Sequence, residues 1–260
     1  MSRTRNRAGI ARILLAFLLG GPASAPAQQQ SPATAADPAA RSIVQKADEV
    51  RFPSDAFQVD VDIATTRQGQ NSDTRKYRVM SKGNENTIVL TLEPAAERGQ
   101  ALLMKERDLW VYMPNLSQPV RLALSQRLTG QVANGDLARA NFTGDYTPKL
   151  LRTETIDGQN YAVLELVAVD RGVTYQRVVY WVRQDNAWPY KAEFYSLSNR
   201  LLKTCKYERF QTLAGRVRPT RLVMEDALRQ GEQSILEYSD MKLRDLPDRM
   251  FTKEYLRRLD

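Results

Sequence analysis

The chain contains no histidine and a single cysteine, Cys205. Without an imidazole there is no Ser-His or Cys-His nucleophile pair and no histidine metal site. With one thiol there is no internal disulfide, so an exported form of this chain must hold together by its core alone. No EF-hand spacing, P-loop or dinucleotide glycine pattern occurs. Two weaker patterns remain. Ser239 and Lys242 make a Ser-x-x-Lys match in "YSDMK", but strand alternation runs through it where a helix start would be needed. Asp60 and Asp62 share one strand face and read as its solvated side. A protein that is not an enzyme, with no cofactor and no metal, is expected.

Also lacking is a run of one charge. The formal net charge is +8, and four of those units are leader arginines, which leaves +4 for the remainder. Lys and Arg are interleaved with Asp and Glu along alternating segments, which argues against nucleic acid as a partner. Peripheral contact with anionic membrane surfaces stays open.

What is present begins with a leader. Arg3, Arg5, Arg7 and Arg12 precede the apolar run "ILLAFLLGG" and then "PASAPAQ", the layout of a secretory signal peptide spanning residues 1–27. Ala25 and Ala27 fit the small-residue rule for cleavage before Gln28, and the apolar run is too short to span a bilayer. No cysteine follows the cleavage site, so the mature chain lacks an N-terminal lipid acceptor and is expected as a free periplasmic protein. Residues 28–40, rich in Gln, Pro, Ala and Ser, read as a flexible tether. Residues 41–260 read as one domain, expected to act as a monomer.

From Pro38 the text "PAARSIVQKADEVRFP" sets Ile43, Val44, Ala47 and Val50 on one helical face, with Asp37 as N-cap and Pro53 as stop. Next, "AFQVDVDIATTR" alternates Phe57, Val59, Val61 and Ile63 against polar neighbours, as a strand with one wet face does. Similar segments recur at hairpin spacing to "QSILEYSDMKL", punctuated by turn pairs such as Asp157-Gly158 and Ala214-Gly215. About a dozen sequential antiparallel strands exceed what a flat open sheet usually carries, so the sheet should curl. The predicted class is mainly β (α+β), and a short helix after Pro247 closes the chain. "LWVYMP" puts Trp110 and Tyr112 on one face and Leu109, Val111 and Met113 on the other, so this strand must be covered twice. The "VVYW" segment around Val179 and Trp181 behaves alike, and both strands are expected at the middle of the sheet.

Several blocks in order, "AERGQALLM", "LWVYMP", "QRLTGQVANGDLARANFTGDY", "RPTRLVMEDAL", "LEYSD" and "MFTKEYLRRL", resemble the outer membrane lipoprotein-sorting protein family, exported domains related to the LolA and LolB carriers. The resemblance runs over residues 43–259. It implies a curved antiparallel sheet forming an unclosed half-barrel, with an apolar cavity and a few covering helices. It further implies a periplasmic carrier of lipid or lipoprotein acyl chains, working between an RND-type inner-membrane exporter and an outer-membrane acceptor. A sensor or adaptor that holds a partner protein on the same fold is the alternative. No catalytic residue is carried over.

Residues 127–146, "RLTGQVANGDLARANFTGDY", interrupt the strands. Leu128, Val132, Leu137 and Phe142 are apolar, Gly130, Gly135 and Gly144 break helix, and Asp136 is expected as an N-cap, giving two short helices with a glycine joint. They would lie over the cavity mouth as a mobile lid or fill the curved sheet as a fixed plug. With Trp110, Tyr112, Val179 and Trp181, these apolar residues are the candidate ligand contacts. Arg121, Arg127, Arg139, Arg216, Arg218 and Arg221 are candidate docking positions for acidic headgroups or a partner, and Cys205 is expected as a small buried apolar side chain.

Overall fold

The structure, a computed structural model, describes residues 37–258 apart from 68, 70, 71 and 140. The leader and the tether up to residue 36 lie outside the described residues. Among the described residues no helix is long and apolar enough to cross a membrane.

The first helix, α1 (Pro38–Arg51), starts where expected: the Asp37 carboxylate accepts from the Ala40 N–H at 3.0 Å, and Pro38 occupies the first turn. Residues 38–40 therefore belong to the helix and not to the tether. Ala40, Val44, Ala47 and Val50 are buried, and the helix stops at Phe52, whose extended backbone is what Pro53 demands of its predecessor.

Fifteen strands follow among the described residues. The first six, β1 (Phe57–Thr66), β2 (Asp73–Lys82), β3 (Asn86–Glu93), β4 (Ala101–Lys105), β5 (Asp108–Tyr112) and β6 (Val120–Leu122), form an antiparallel meander. An inserted segment comes next, with a small hairpin of β7 (Arg127–Thr129) and β8 (Val132–Ala133) and two single-turn helices, α2 (Asn134–Ala138) and α3 (Phe142–Asp145). A second meander follows: β9 (Tyr146–Ile156), β10 (Gln159–Ala168), β11 (Arg177–Arg183), β12 (Pro189–Tyr195), β13 (Leu201–Leu213), β14 (Arg216–Asp226) and β15 (Gln233–Leu243). A short helix, α4 (Lys253–Leu256), ends the described chain.

The two meanders join along β1 and β15, with Phe57 opposite Leu243 and Ile63 opposite Leu236, to make one 13-stranded antiparallel sheet. Its end strands, β6 and β9, are not paired to one another, so the curved sheet stays an unclosed half-barrel. The inserted segment runs from one free edge to the other.

Alternation then sorts side chains to two faces. The inner face, with α1 and the inserted segment, forms the main core, including Val59, Val61, Leu109, Val111, Val178, Tyr180 and Leu236. On the outer face Ile88 and Leu103 pack with Leu246, Phe251 and Leu256 from the C-terminal segment. A separate outer cluster holds Tyr161, Val163, Val179 and Trp181.

The strands carrying Trp110 and Trp181 are covered twice, as their patterns require, but they are not central. β5 lies next to the end strand β6, and β11 lies two strands in from β9. Their second cover comes from elsewhere. Over β5 it is the C-terminal segment, with the Lys253 ammonium 4.2 Å from the centre of the Trp110 ring. Over Trp181 it is Lys191 at 3.9 Å and a hydrogen bond from the indole to Glu154 at 2.8 Å. Asp60, which faces outward on β1, is not solvated: Arg78 binds both of its oxygens, at 2.7 and 2.9 Å, and it is buried.

Candidate ligand site within the half-barrel

The inserted segment lies inside the sheet. Val132, Ala133, Leu137, Ala138 and Phe142 are buried in the main core, and Leu128 packs against it. Phe142 meets Tyr146 and Tyr180 edge to face at 5.5 and 5.3 Å, and the Arg51 guanidinium lies 4.3 Å from its ring centre. Of the eight candidate contacts, Leu128, Val132, Leu137 and Phe142 thus come together. Trp110 and Tyr112 pack in one outer cluster, and Val179 and Trp181 in the other. Those four face away from the interior, because they occupy the outward parity of β5 and β11.

The glycines of the segment act as seats and not as a joint. A Cβ on Gly135 would fall 2.0 Å from Thr174 Oγ1, and one on Gly130 would fall 2.2 Å from both Ser234 Oγ and Thr65 Oγ1. Gly130 also has φ +49°, the left-handed region that glycine enters without strain. Gly135 and Gly144 lie within the short helices, and Arg139 and Asn141 flank the interval between them. Asp136 is not the N-cap of α2. It lies in the first turn, and its carboxylate accepts from the Ala133 N–H at 2.8 Å.

Polar anchors reinforce these contacts. Asp136 accepts from Lys203 Nζ at 2.6 Å and from the Tyr175 hydroxyl at 2.9 Å, and the same ammonium donates to the Gln131 carbonyl at 2.5 Å. The side chains of Lys203 and Asp136 are only 6% and 8% exposed. Arg139 binds Asp145 at 2.6 Å with both side chains 4% exposed, and Arg107 reaches the other Asp145 oxygen at 3.1 Å. On α1, Asp48 accepts from the Thr143 N–H and hydroxyl, each at 2.7 Å, and from Arg51 at 3.2 Å. Burial pushes the Asp48 carboxyl up despite the opposing pull of Arg51 and Thr143. Apart from Arg107, whose side chain is 35% exposed, these ions are too far from water to exchange a partner for solvent at small cost.

Little room is left. A cavity of about 30 Å³ lies between Arg51, Asp136, Phe142, Tyr175 and Tyr238, another of about 10 Å³ lies beside Phe52 and Leu137, and a third of about 130 Å³ lies between Tyr77, Val89, Leu102 and Val111 of the sheet and Leu128 of the inserted segment. The first holds a water molecule or two, whereas a small-molecule pocket needs about 300 Å³ or more. An acyl chain enters the interior only if the segment yields its place.

The arginines considered for docking mostly have internal tasks. Arg139 is buried with Asp145. Arg218 donates to the Glu49 and Val50 carbonyls at 2.8 and 3.1 Å, capping the C-terminal end of α1, and burial lowers its pKa to about 10. Arg216 pairs with Glu49, Arg221 with Glu208 and Arg121 with Asp108. The polar anchors are residues that strand periodicity does not single out. One signal was available for Lys203: it shares the inward parity of Cys205 and Tyr207, and a lysine on an apolar parity needs a buried partner.

No curated protein matches the chain. A family model described as "-like: Uncharacterized protein" matches residues 83–258. Among solved structures, a DUF1329 family protein from Desulfovibrio piger is 23% identical, covering 84% of this chain and 98% of its own, with a TM-score of 0.73. An outer membrane lipoprotein-sorting protein domain from Vibrio parahaemolyticus is 23% identical over the same shares, with a TM-score of 0.71. These two share the fold. A LolA superfamily protein from Nitrosomonas europaea is 66% identical, covering 83% of this chain and 98% of its own, with a TM-score of 0.80. Identity at that level over nearly the whole of the relative places the chain in its family, and the protein belongs to the LolA superfamily.

Proposed function

We propose that this protein is a periplasmic carrier, exported by the leader at residues 1–27, which takes lipid or lipoprotein acyl chains into the half-barrel and moves them between membranes. An RND-type exporter would load it and an outer-membrane acceptor would unload it. The observation that carries this reading is the filling of an unclosed sheet by a segment attached at the two free edges, β6 and β9. Membership of the LolA superfamily supports the same reading.

The energetics are compatible. Each methylene moved out of water contributes about 0.8 kcal/mol, so a sixteen-carbon chain offers on the order of 12 kcal/mol gross. Against that gain stands the burial of Val132, Leu137 and Phe142, which the inserted segment gives up when it moves out, whereas its ion pairs recover hydration as they part.

Native mass spectrometry with solvent extraction, on protein isolated from its own exported compartment, tests the proposal. A stoichiometric lipid or acylated species is the expected result. A clean apo mass with no uptake from lipid vesicles would sink the carrier reading and favour a sensor or adaptor that binds a partner protein, for which the small interior cavity is no obstacle.

A further inference from the structure

A cavity of about 280 Å³ opens at the surface beside the inserted segment. Its floor is built by Gln131, Val132 and Ala133 of that segment together with Lys203, which is 5% exposed. Leu202 and Leu228 give it an apolar wall, and Leu228 is 57% exposed. A leucine left in water at a cavity rim loses solvent-exposed area when a chain lies over it.

Arg127 and Arg200 complete the lining, and both are exposed. Among the described residues neither forms an ion pair, whereas Arg121, Arg139, Arg216 and Arg221 each do. One carboxylate, Asp226, also lines the cavity, and its Oδ1 accepts from the N–H groups of Leu228 and Arg229 at 2.7 and 3.1 Å, so the two arginines leave the lining with a net positive charge together with Lys203. Two unpaired guanidiniums beside an apolar wall match a ligand with an oxyanion at one end and hydrocarbon at the other. The volume is near the lower bound for a ligand pocket, room for a head and its first carbons but not for a whole lipid.

We propose that this cavity is the reception site for the anionic phosphate or carboxylate head of a membrane amphiphile, held by Arg127 and Arg200, with its chain directed along Leu202 and Leu228 towards the inserted segment. This rests on the carrier reading and adds the chemical class of the cargo. The floor of the site contains Lys203, so a head bound there competes with Asp136 for the same ammonium.

The test uses the full mature chain and three probes: palmitoyl lysophosphatidate, the matching uncharged palmitoyl monoglyceride, and inorganic phosphate, with dissociation constants taken by calorimetry. Lysophosphatidate is expected to bind at least roughly tenfold tighter than the monoglyceride. Arg127→Gln/Arg200→Gln should abolish that difference and leave monoglyceride affinity unchanged, and Arg127→Lys/Arg200→Lys should keep much of it. Both positions are exposed, and an unchanged melting temperature verifies the fold of each variant. Equal binding of the two lipids by wild type, unaltered in the Gln variant, overturns this proposal while leaving the carrier intact. Phosphate binding as tight as lysophosphatidate overturns it in favour of a free oxyanion site. Absence of binding by either lipid removes the carrier reading, and this site with it.

Discussion

Lys203 on β13 and Asp136 on α2 form an ion pair at 2.6 Å, almost out of reach of water, that fastens the inserted segment to the wall of the half-barrel. Removing one partner leaves the other as a buried, uncompensated charge. Asp136→Leu or Lys203→Met alone should lower the unfolding free energy by about 3–5 kcal/mol, and the double variant Asp136→Leu/Lys203→Met by clearly less than the sum. Urea melts of the four proteins give the coupling, and strict additivity would show that the pair is not the fastening.

Gly130 should tolerate no side chain. With φ +49° and two hydroxyls 2.2 Å from where its Cβ would sit, Gly130→Ala should cost roughly 2–5 kcal/mol. Thr65 Oγ1 and Ser234 Oγ also contact one another at 2.9 Å. On a Thr65→Ala/Ser234→Ala background the added cost of Gly130→Ala should drop to about 1 kcal/mol, the backbone strain alone. The same cost on both backgrounds would mean that close packing is not why glycine is there.

Displacement of the inserted segment can be blocked covalently. A Cβ on Gly135 would lie 3.0 Å from Thr174 Cβ, a little inside the usual disulfide range of about 3.5–4.5 Å. Oxidised Gly135→Cys/Thr174→Cys, made with Cys205→Ser, should take up no lipid from vesicles, and reduction should restore uptake. Equal uptake by both forms would place the lipid outside the half-barrel interior.

Cys205 reports on opening of the core. Burial pushes its thiol up from 9.0 to about 12, so it stays neutral throughout the neutral range and is hidden from reagents. N-ethylmaleimide at pH 8 should leave the native protein unmodified by mass spectrometry and label it fully in urea. Because the folded value is raised, the stability this thiol contributes is present below pH 9 and declines as the pH climbs towards 12. Cys205→Ala should lose less stability than wild type across that window.

Much of the fold was legible because it is local. The Asp37 cap, the Pro53 stop and the double cover over Trp110 follow from spacing within one element. The position of the gap did not follow, because it depends on β1 pairing with β15 from the far end of the chain, and no local pattern encodes that. Trp110 and Trp181 were accordingly expected mid-sheet, when they lie near its ends. In the interior, Leu137 and Phe142 were visible as apolar residues in a break. The role of Asp136 was not, because its partner Lys203 lies on a strand that pairs with neither end of the inserted segment.

The seam between β1 and β15 also bears on how the chain matures. Each meander consists of neighbour-to-neighbour hairpins that can form early, while Phe57 must wait for Leu243. A chain threaded from its N-terminus would therefore present β1 with an unpaired edge until β15 arrives. That interval is when strand-exchanged dimers and aggregates would form, and when a holding factor would matter most.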